Sequence, residues 1–245
     1  MGKWGSKMMM WNEILFQIVL LISNTIQTIT GFAGTLLAMP FSIKLVGIEE
    51  AKAVLNIFTM MACSVIAIQN YRYINYKVLL KMVAGMTVGM VFGIWLFEQL
   101  PLEMLLNFYA VLVILVALKK MFVKKELTLP AWAMLFVLLA AGIIHGVFLS
   151  GGALLVIYAV SVLKDKNEFR ATMSPVWVIL NGFLIVSHYR AGSYTPQTLR
   201  AIAISVLPLA VSILLGNILY RKMNQQQFLK LTYVLLIIAG ASLLI

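Results

Sequence analysis

Acidic residues are scarce in this chain, eight in 245 against nineteen Lys and Arg, and it holds only two histidines and one cysteine. The lone cysteine, Cys63, excludes a disulfide framework and a thiolate metal cage. With two histidines and no clustered acids, no metal-ligand spacing is expected, and no cofactor. The glycine-lysine-serine/threonine loop that cradles nucleotide phosphates is missing, so any ATP drive would have to come from a partner. Short segments alternating apolar and polar residues are missing as well, which removes a membrane barrel.

What remains is apolar: 62% of residues are hydrophobic and 11% charged, with a mean hydropathy of +1.00. Soluble domains run at about 45–50% apolar and about 25% charged. Backbone exposed to lipid without partners restricts such a chain to helices. Uncharged runs at 53–71, 82–97, 104–118, 171–189, 201–220 and 231–245 each suit one crossing of about 20 residues, with flanking side chains snorkelling. The net charge of +11 sits at the ends of these runs, where the positive-inside rule places it. It reads as orientation, with the lipid bilayer as partner, and not as affinity for nucleic acid. The class is an all-α polytopic membrane protein of 8–10 helical segments.

Two further uncharged stretches are too long for one crossing and are broken by glycine. Gly31-Phe32-Ala33-Gly34 interrupts the run between Glu13 and Lys44, and Ser150-Gly151-Gly152 interrupts the run between Glu126 and Lys164. A single helix over 14–43 would be about 45 Å long, against a hydrocarbon core of about 30 Å. Two shorter helices meeting at the glycines, a hairpin, fit better. Interrupted helices at corresponding places in two halves mark the binding site of many transporters.

The halves also match each other. Residues 34–73 superpose on 152–191 without a gap, pairing Gly34 with Gly152, Glu50 with Glu168, Lys52 with Arg170, and Tyr71-Arg72 with Tyr189-Arg190. An internal duplication follows, with repeats at 1–123 and 124–245 joined by the basic linker Lys119 to Pro130 inside one integrated transmembrane domain. Hairpins gather Lys and Arg onto one membrane face more strongly than single crossings do. Each half then holds a broken hairpin and three spanning helices, an odd number of segments, which inverts the second half relative to the first.

Gly31, Gly34, Gly151 and Gly152 leave the backbone bare, and an apolar run that reads as a new helix follows each break. The first amides of such a helix, at the positive end of its dipole, bind an anion without a charged side chain. Thr35 and Ser150 beside the breaks, with Asn56 and its counterpart Ser174 on the next helices, add hydroxyl and amide donors; Gln27, Thr28 and Thr30 lie close by. His145 is ionisable and deep in an uncharged run, which makes it a functional candidate for contacting the anion or carrying a proton. Arg72 and Arg190 read as interfacial anchors that also draw anions to the two entrances.

Ser150 and His145 resemble a serine and its base, the signature of an intramembrane hydrolase. Five residues apart on a helix, they point about 140° away from each other, and no carboxylate within the spans orients the histidine. The enzyme reading falls. A carrier of small anions working by alternating access is the leading expectation, with a proton or sodium as the coupling ion to consider; an anion channel and a non-transporting scaffold are the alternatives.

The stretches Gly31 to Pro40 and His145 to Leu155 are similar to the two glycine-rich segments of the sulfite exporter family of TauE/SafE type, and the resemblance extends over nearly the whole chain. It implies transport of sulfite, thiosulfate or sulfonates across the cytoplasmic membrane. Thr35 stands where a further glycine is common and Tyr158 replaces the second segment's proline, which implies two unequal half-sites.

Overall fold

The computed structural model describes residues 3–101, 103, 104, 107, 111 and 130–242, and every regular element among them is helical. In chain order these are α1 Lys3–Thr30, α2 Gly34–Val46, α3 Ile48–Gln69, α4 Tyr76–Gln99, α5 Ala131–Phe148, α6 Gly152–Val162, α7 Lys166–Arg190, α8 Pro196–Lys222 and α9 Gln225–Ser242, with a single 3-10 turn at Tyr71–Tyr73. The boundary expected at 123/124, the linker apart from Pro130, and most of the run at 104–118 lie outside the described residues. Among the described residues five helices are long and apolar enough to cross a membrane: α1 from Trp11, α3, α4, α7 and α8.

Both overlong runs break where glycine interrupts them. The first helix stops at Thr30 and the next starts at Gly34; the fifth stops at Phe148 and the sixth starts at Gly152. After the first break the chain doubles back, because Asn12 near the start of α1 donates to the carbonyl of Leu45 near the end of α2 at 3.5 Å. Gly31 makes the turn with φ +81, a backbone conformation side chains rarely adopt.

Local chemistry sets the other ends. Asp165 accepts from the amides of Asn167 and Glu168 to start α7, Asn75 accepts from Val78 to start α4, and Thr195 accepts from Thr198 with Pro196 in the first turn of α8. These are side-chain N-caps serving amides that lack helical partners.

At the centre α3 and α7 run antiparallel: Asn56 meets His188 at one end, and Asn75, just beyond α3, meets Glu168 at the other. Beside them α4 and α5 lie parallel with their backbones almost touching. A Cβ on Gly89 would fall 2.0 Å from the carbonyl oxygen of Leu139, and one on Gly142 would fall 2.2 Å from that of Met86. In lipid no hydrophobic force drives helices together, so such small-residue faces carry the association. On the other flank α8 packs on α1, Gly216 lying against Thr25 and Thr28. Leu80, Phe92, Phe136, Leu207 and Leu214 stay exposed, forming the lipid-facing exterior.

Candidate functional site

The two helix breaks meet tip to tip in the interior. Thr35 Oγ1 donates to the carbonyl of Leu149 at 2.7 Å, and a Cβ on Gly152 would lie 2.8 Å from the carbonyl oxygen of Phe32. Thr35, Leu149, Ser150 and Gly152 are all buried, so the contact is closed. Replacing Thr35 by valine keeps the shape and strands the Leu149 carbonyl, a loss of about 1–3 kcal/mol. Thr35→Val should therefore shift the tips toward separation by about 5- to 150-fold. Faster reaction of a Ser150→Cys thiol with a water-soluble reagent in the Thr35→Val background checks this, and an unchanged rate would deny the latch.

One stripe of α7 lines both tips. Arg170, Ser174, Trp177 and Asn181, spaced 4, 3 and 4 residues apart, share one helix face. Arg170 Nε donates to the Thr28 carbonyl at 2.7 Å, and its Nη2 donates to Asn217 Oδ1 at 2.6 Å; the guanidinium lies 4.1 Å from the Tyr220 ring centroid. Trp177 Nε1 donates to the Gly31 carbonyl at 2.7 Å, and its ring packs on His145 with centroids 5.1 Å apart. Ser174 Oγ would be 3.5 Å from a Cβ on Gly31. The last carbonyls of α1, which have no helical donor, are thus served from α7, with a cation placed where the helix dipole favours one.

The amides of the first tip are also taken. Thr30 Oγ1 accepts from Phe32 at 3.4 Å and Ala33 at 3.2 Å, and Gln27 Oε1 accepts from Gly34 at 2.6 Å. Gln27 is held in turn by donating to Cys63 Sγ at 3.0 Å. Gly34 fits this cap because a Cβ there would fall 2.7 Å from Gln27 Cβ.

The second tip is not closed off in this way. Leu149, held at φ 55, donates to the His145 carbonyl at 2.8 Å, and Ser150 Oγ donates to that of Phe148 at 3.0 Å. The first turn of α6 then begins with no side-chain cap. Close to it, no ring nitrogen of the buried His145 and no amide atom of the buried Asn181 makes a hydrogen bond of full geometry among the described residues, although the imidazole interacts with the Asn181 amide and the Leu149 backbone. A Cβ on Gly151 would sit 3.0 Å from His145 Cβ, which places the imidazole directly beneath the tip.

Of the residues singled out from sequence, Gly31, Gly34, Thr35, His145, Ser150, Gly151, Gly152 and Ser174 gather at the tips. Asn56 is engaged elsewhere, its Nδ2 lying 3.3 Å from His188 Nδ1. Ser150 bonds within its own tip and not to His145, so no hydrolytic pair forms. Arg72 and Tyr71 lie exposed in the 3-10 turn, as expected of interfacial side chains.

Trp177 and Arg170 were not anticipated. A tryptophan mid-span was a signal, since its buried N–H requires an acceptor. For Arg170 the signal was Asp165-Lys166-Asn167-Glu168, an acidic N-cap followed by a first-turn acid, which starts the helix one turn before the arginine and carries it inside.

A family model described as "Sulfite exporter TauE/SafE" matches residues 15–243. The "Probable inner membrane transporter protein TsaS" of Comamonas testosteroni is 25% identical over 177 residues, covering 71% of this chain and 74% of that protein. No solved structure matches the chain.

Proposed function

Since the chain belongs to the TauE/SafE sulfite exporter family, and is thereby a multi-pass membrane transporter and not an enzyme, we propose that it carries small sulfur oxyanions or sulfonates across the cytoplasmic membrane by alternating access. The anion rests at the start of α6. Its ligands are the amides that follow Gly151, the imidazole of His145, the amide of Asn181 and the hydroxyl of Ser150, with Gly152 leaving room for close approach. The first tip, with Gly31, Gly34 and Thr35, closes over it, and Ser174 backs Gly31.

The observation that carries this reading is the inequality of the tips. At the first, side chains serve the Thr28 and Gly31 carbonyls and the amides of Ala33 and Gly34, the last being the first amide of α2. At the second, the amide end of α6 and two buried polar side chains are left over. Buried polar groups without partners are rare and unfavourable, and an anion would satisfy the donors among them, Asn181 Nδ2, one imidazole N–H and the amides of α6, without a formal positive charge to trap it.

Repeats at 1–123 and 124–245, inverted with respect to each other, supply the moving parts. The antiparallel course of α3 and α7, and the exchange by which α4 packs on the second hairpin and α8 on the first, support that division. A shift of one repeat against the other would part the tips toward each face in turn.

Counterflow in proteoliposomes tests the function. A carrier exchanges labelled sulfite or thiosulfate with saturation, a channel passes current, and a scaffold does neither. Thermal stabilisation of the purified protein across sulfite, thiosulfate, sulfonates, sulfate and carboxylates identifies the preferred anion. His145→Phe keeps a ring against Trp177 but removes both nitrogens; it should weaken anion binding about tenfold or more, the worth of one charge-assisted hydrogen bond. Unaltered affinity would remove His145 from the site.

A further inference from the structure

A second polar cluster lies away from the tips, where α3 begins and α7 ends. Lys52 and Asn56, one turn apart on α3, occupy the same positions in their helix as Arg170 and Ser174 do in α7, and both cations are buried. Their surroundings differ. Arg170 is engaged, donating to the end of α1 and to Asn217. Lys52 grips nothing: its ammonium lies 3.6 Å from the Phe97 ring centroid, with no hydrogen bond and no carboxylate within 4 Å among the described residues, although Glu49 and Glu50 stand in the same first turn. Beside it, Asn56 Oδ1 is buried without a hydrogen-bond partner among the described residues, while Asn56 Nδ2 contacts His188 Nδ1. Apart from the through-space attraction of Glu49, the ammonium of this buried lysine has only a ring face for company, which compensates poorly for the water it has lost.

On the same membrane face a cavity of about 890 Å³ opens between the start of α1, the end of α2 and the start of α8, with Gln17, Glu13, Glu50 and Arg200 in its lining. Through Glu50 this cavity comes within a turn of Lys52 along α3, although Lys52 itself is outside its lining.

We propose that Lys52, Asn56 and His188 form a second anion station, separate from the tips, where a small oxyanion rests on its way between the tip site and this membrane face. The ammonium supplies the charge and His188 a further donor. Asn56 Oδ1 accepts from an oxyanion that still carries its proton, such as hydrogen sulfite, or from a water that travels with it. Arg170 is no second such station, because its guanidinium is already held between the Thr28 carbonyl, Asn217 and the Tyr220 ring. The inference rests on the carrier reading above.

In sulfite counterflow, Lys52→Met should raise the half-saturation concentration about tenfold or more, and Lys52→Arg should stay within about threefold of wild type, because arginine keeps the charge over Phe97. Equal half-saturation for Lys52→Met and wild type would overturn the station. So would failure of Lys52→Arg to recover affinity, since charge would then not be what matters.

A labelling experiment covers the case in which Lys52→Met does not assemble. Thr59→Cys, two turns from Lys52 on the same face of α3 and with Lys52 left in place, is treated in membrane vesicles with an anionic methanethiosulfonate from each side, with the buried Cys63 of the wild type as background. Reaction slowed by methanesulfonate supports the station. Reaction unaffected by methanesulfonate, or none from either side, overturns it. Should the wild type exchange no sulfite at all, the transport reading fails by that result alone, and protection of position 59 still decides whether anions bind there.

Discussion

Gly152→Leu is expected to abolish anion exchange while the protein still inserts and purifies as a single species. The first β-carbon at this position already lies 2.8 Å from the Phe32 carbonyl and 3.1 Å from its ring, so even alanine forces the tips to shift. Leucine adds three further carbons at the place where the amides of α6 would meet the anion. Loss of the cradle and of the closed tip contact together should lower flux about 100-fold or more, as removal of one or two directed donors does elsewhere. The outer helices are untouched, which is why insertion should survive. Gly152→Ala should fall between the two. Flux at the wild-type level in Gly152→Leu would exclude the start of α6 as the binding place, whatever else carries the anion.

The second large effect concerns assembly. A β-carbon at Gly142 would lie 2.2 Å from the Met86 carbonyl oxygen and 2.9 Å from two more backbone atoms of α4. No side-chain rotation relieves a clash with backbone, so Gly142→Leu must drive α4 and α5 apart. Overpacking of this kind usually costs about 1–3 kcal/mol, and the rigid contact along Gly89, Gly93 and Gly146 puts it at or above the upper end. Gly142→Leu is therefore expected to lower the midpoint of thermal unfolding in detergent by about 10 °C or more, or to prevent recovery of a monodisperse protein. Gly182→Leu is the control. Nothing lies within 4 Å of a β-carbon there, so its midpoint should remain near wild type. A Gly142→Leu protein as stable as Gly182→Leu would mean that the α4–α5 contact is looser than the glycines imply. Because α5 carries His145, the same variant should also lose binding wherever some folded protein is recovered.

The helix breaks were readable from residues alone. Bilayer thickness limits helix length, so an uncharged run from Ile14 to Ile43 has to bend somewhere, and Gly31 and Gly34 are where it can. The candidate residues beside those breaks followed from the same reasoning, because new helix starts present free amides and small polar side chains surround them. Alignment with Ser174 gave Asn56 an equivalent place in its own helix, beside the breaks. Equivalence between halves does not confer equal neighbours, and Asn56 faces His188.

Lys52 and Arg170 directly precede the uncharged runs 53–71 and 171–189, and so read as lying at the ends of spans. That reading holds for side chains facing lipid or water. It fails for Arg170, whose guanidinium is received by a carbonyl 142 residues away in the chain, by Asn217 and by the Tyr220 face. Only packing brings those acceptors together.

The sequence by itself determined the solvent, the helical class and the two break points, because hydropathy, helix length and glycine act locally and each has one resolution within a bilayer. Tertiary structure decided which of the two tips is left with unmatched donors. Gln27 and Thr30 cap one from within its own hairpin, while Arg170 and Trp177 reach it from α7. The amide end at Gly152 receives no such partner, and no local rule contains that difference: it depends on which side chains arrive from distant parts of the chain.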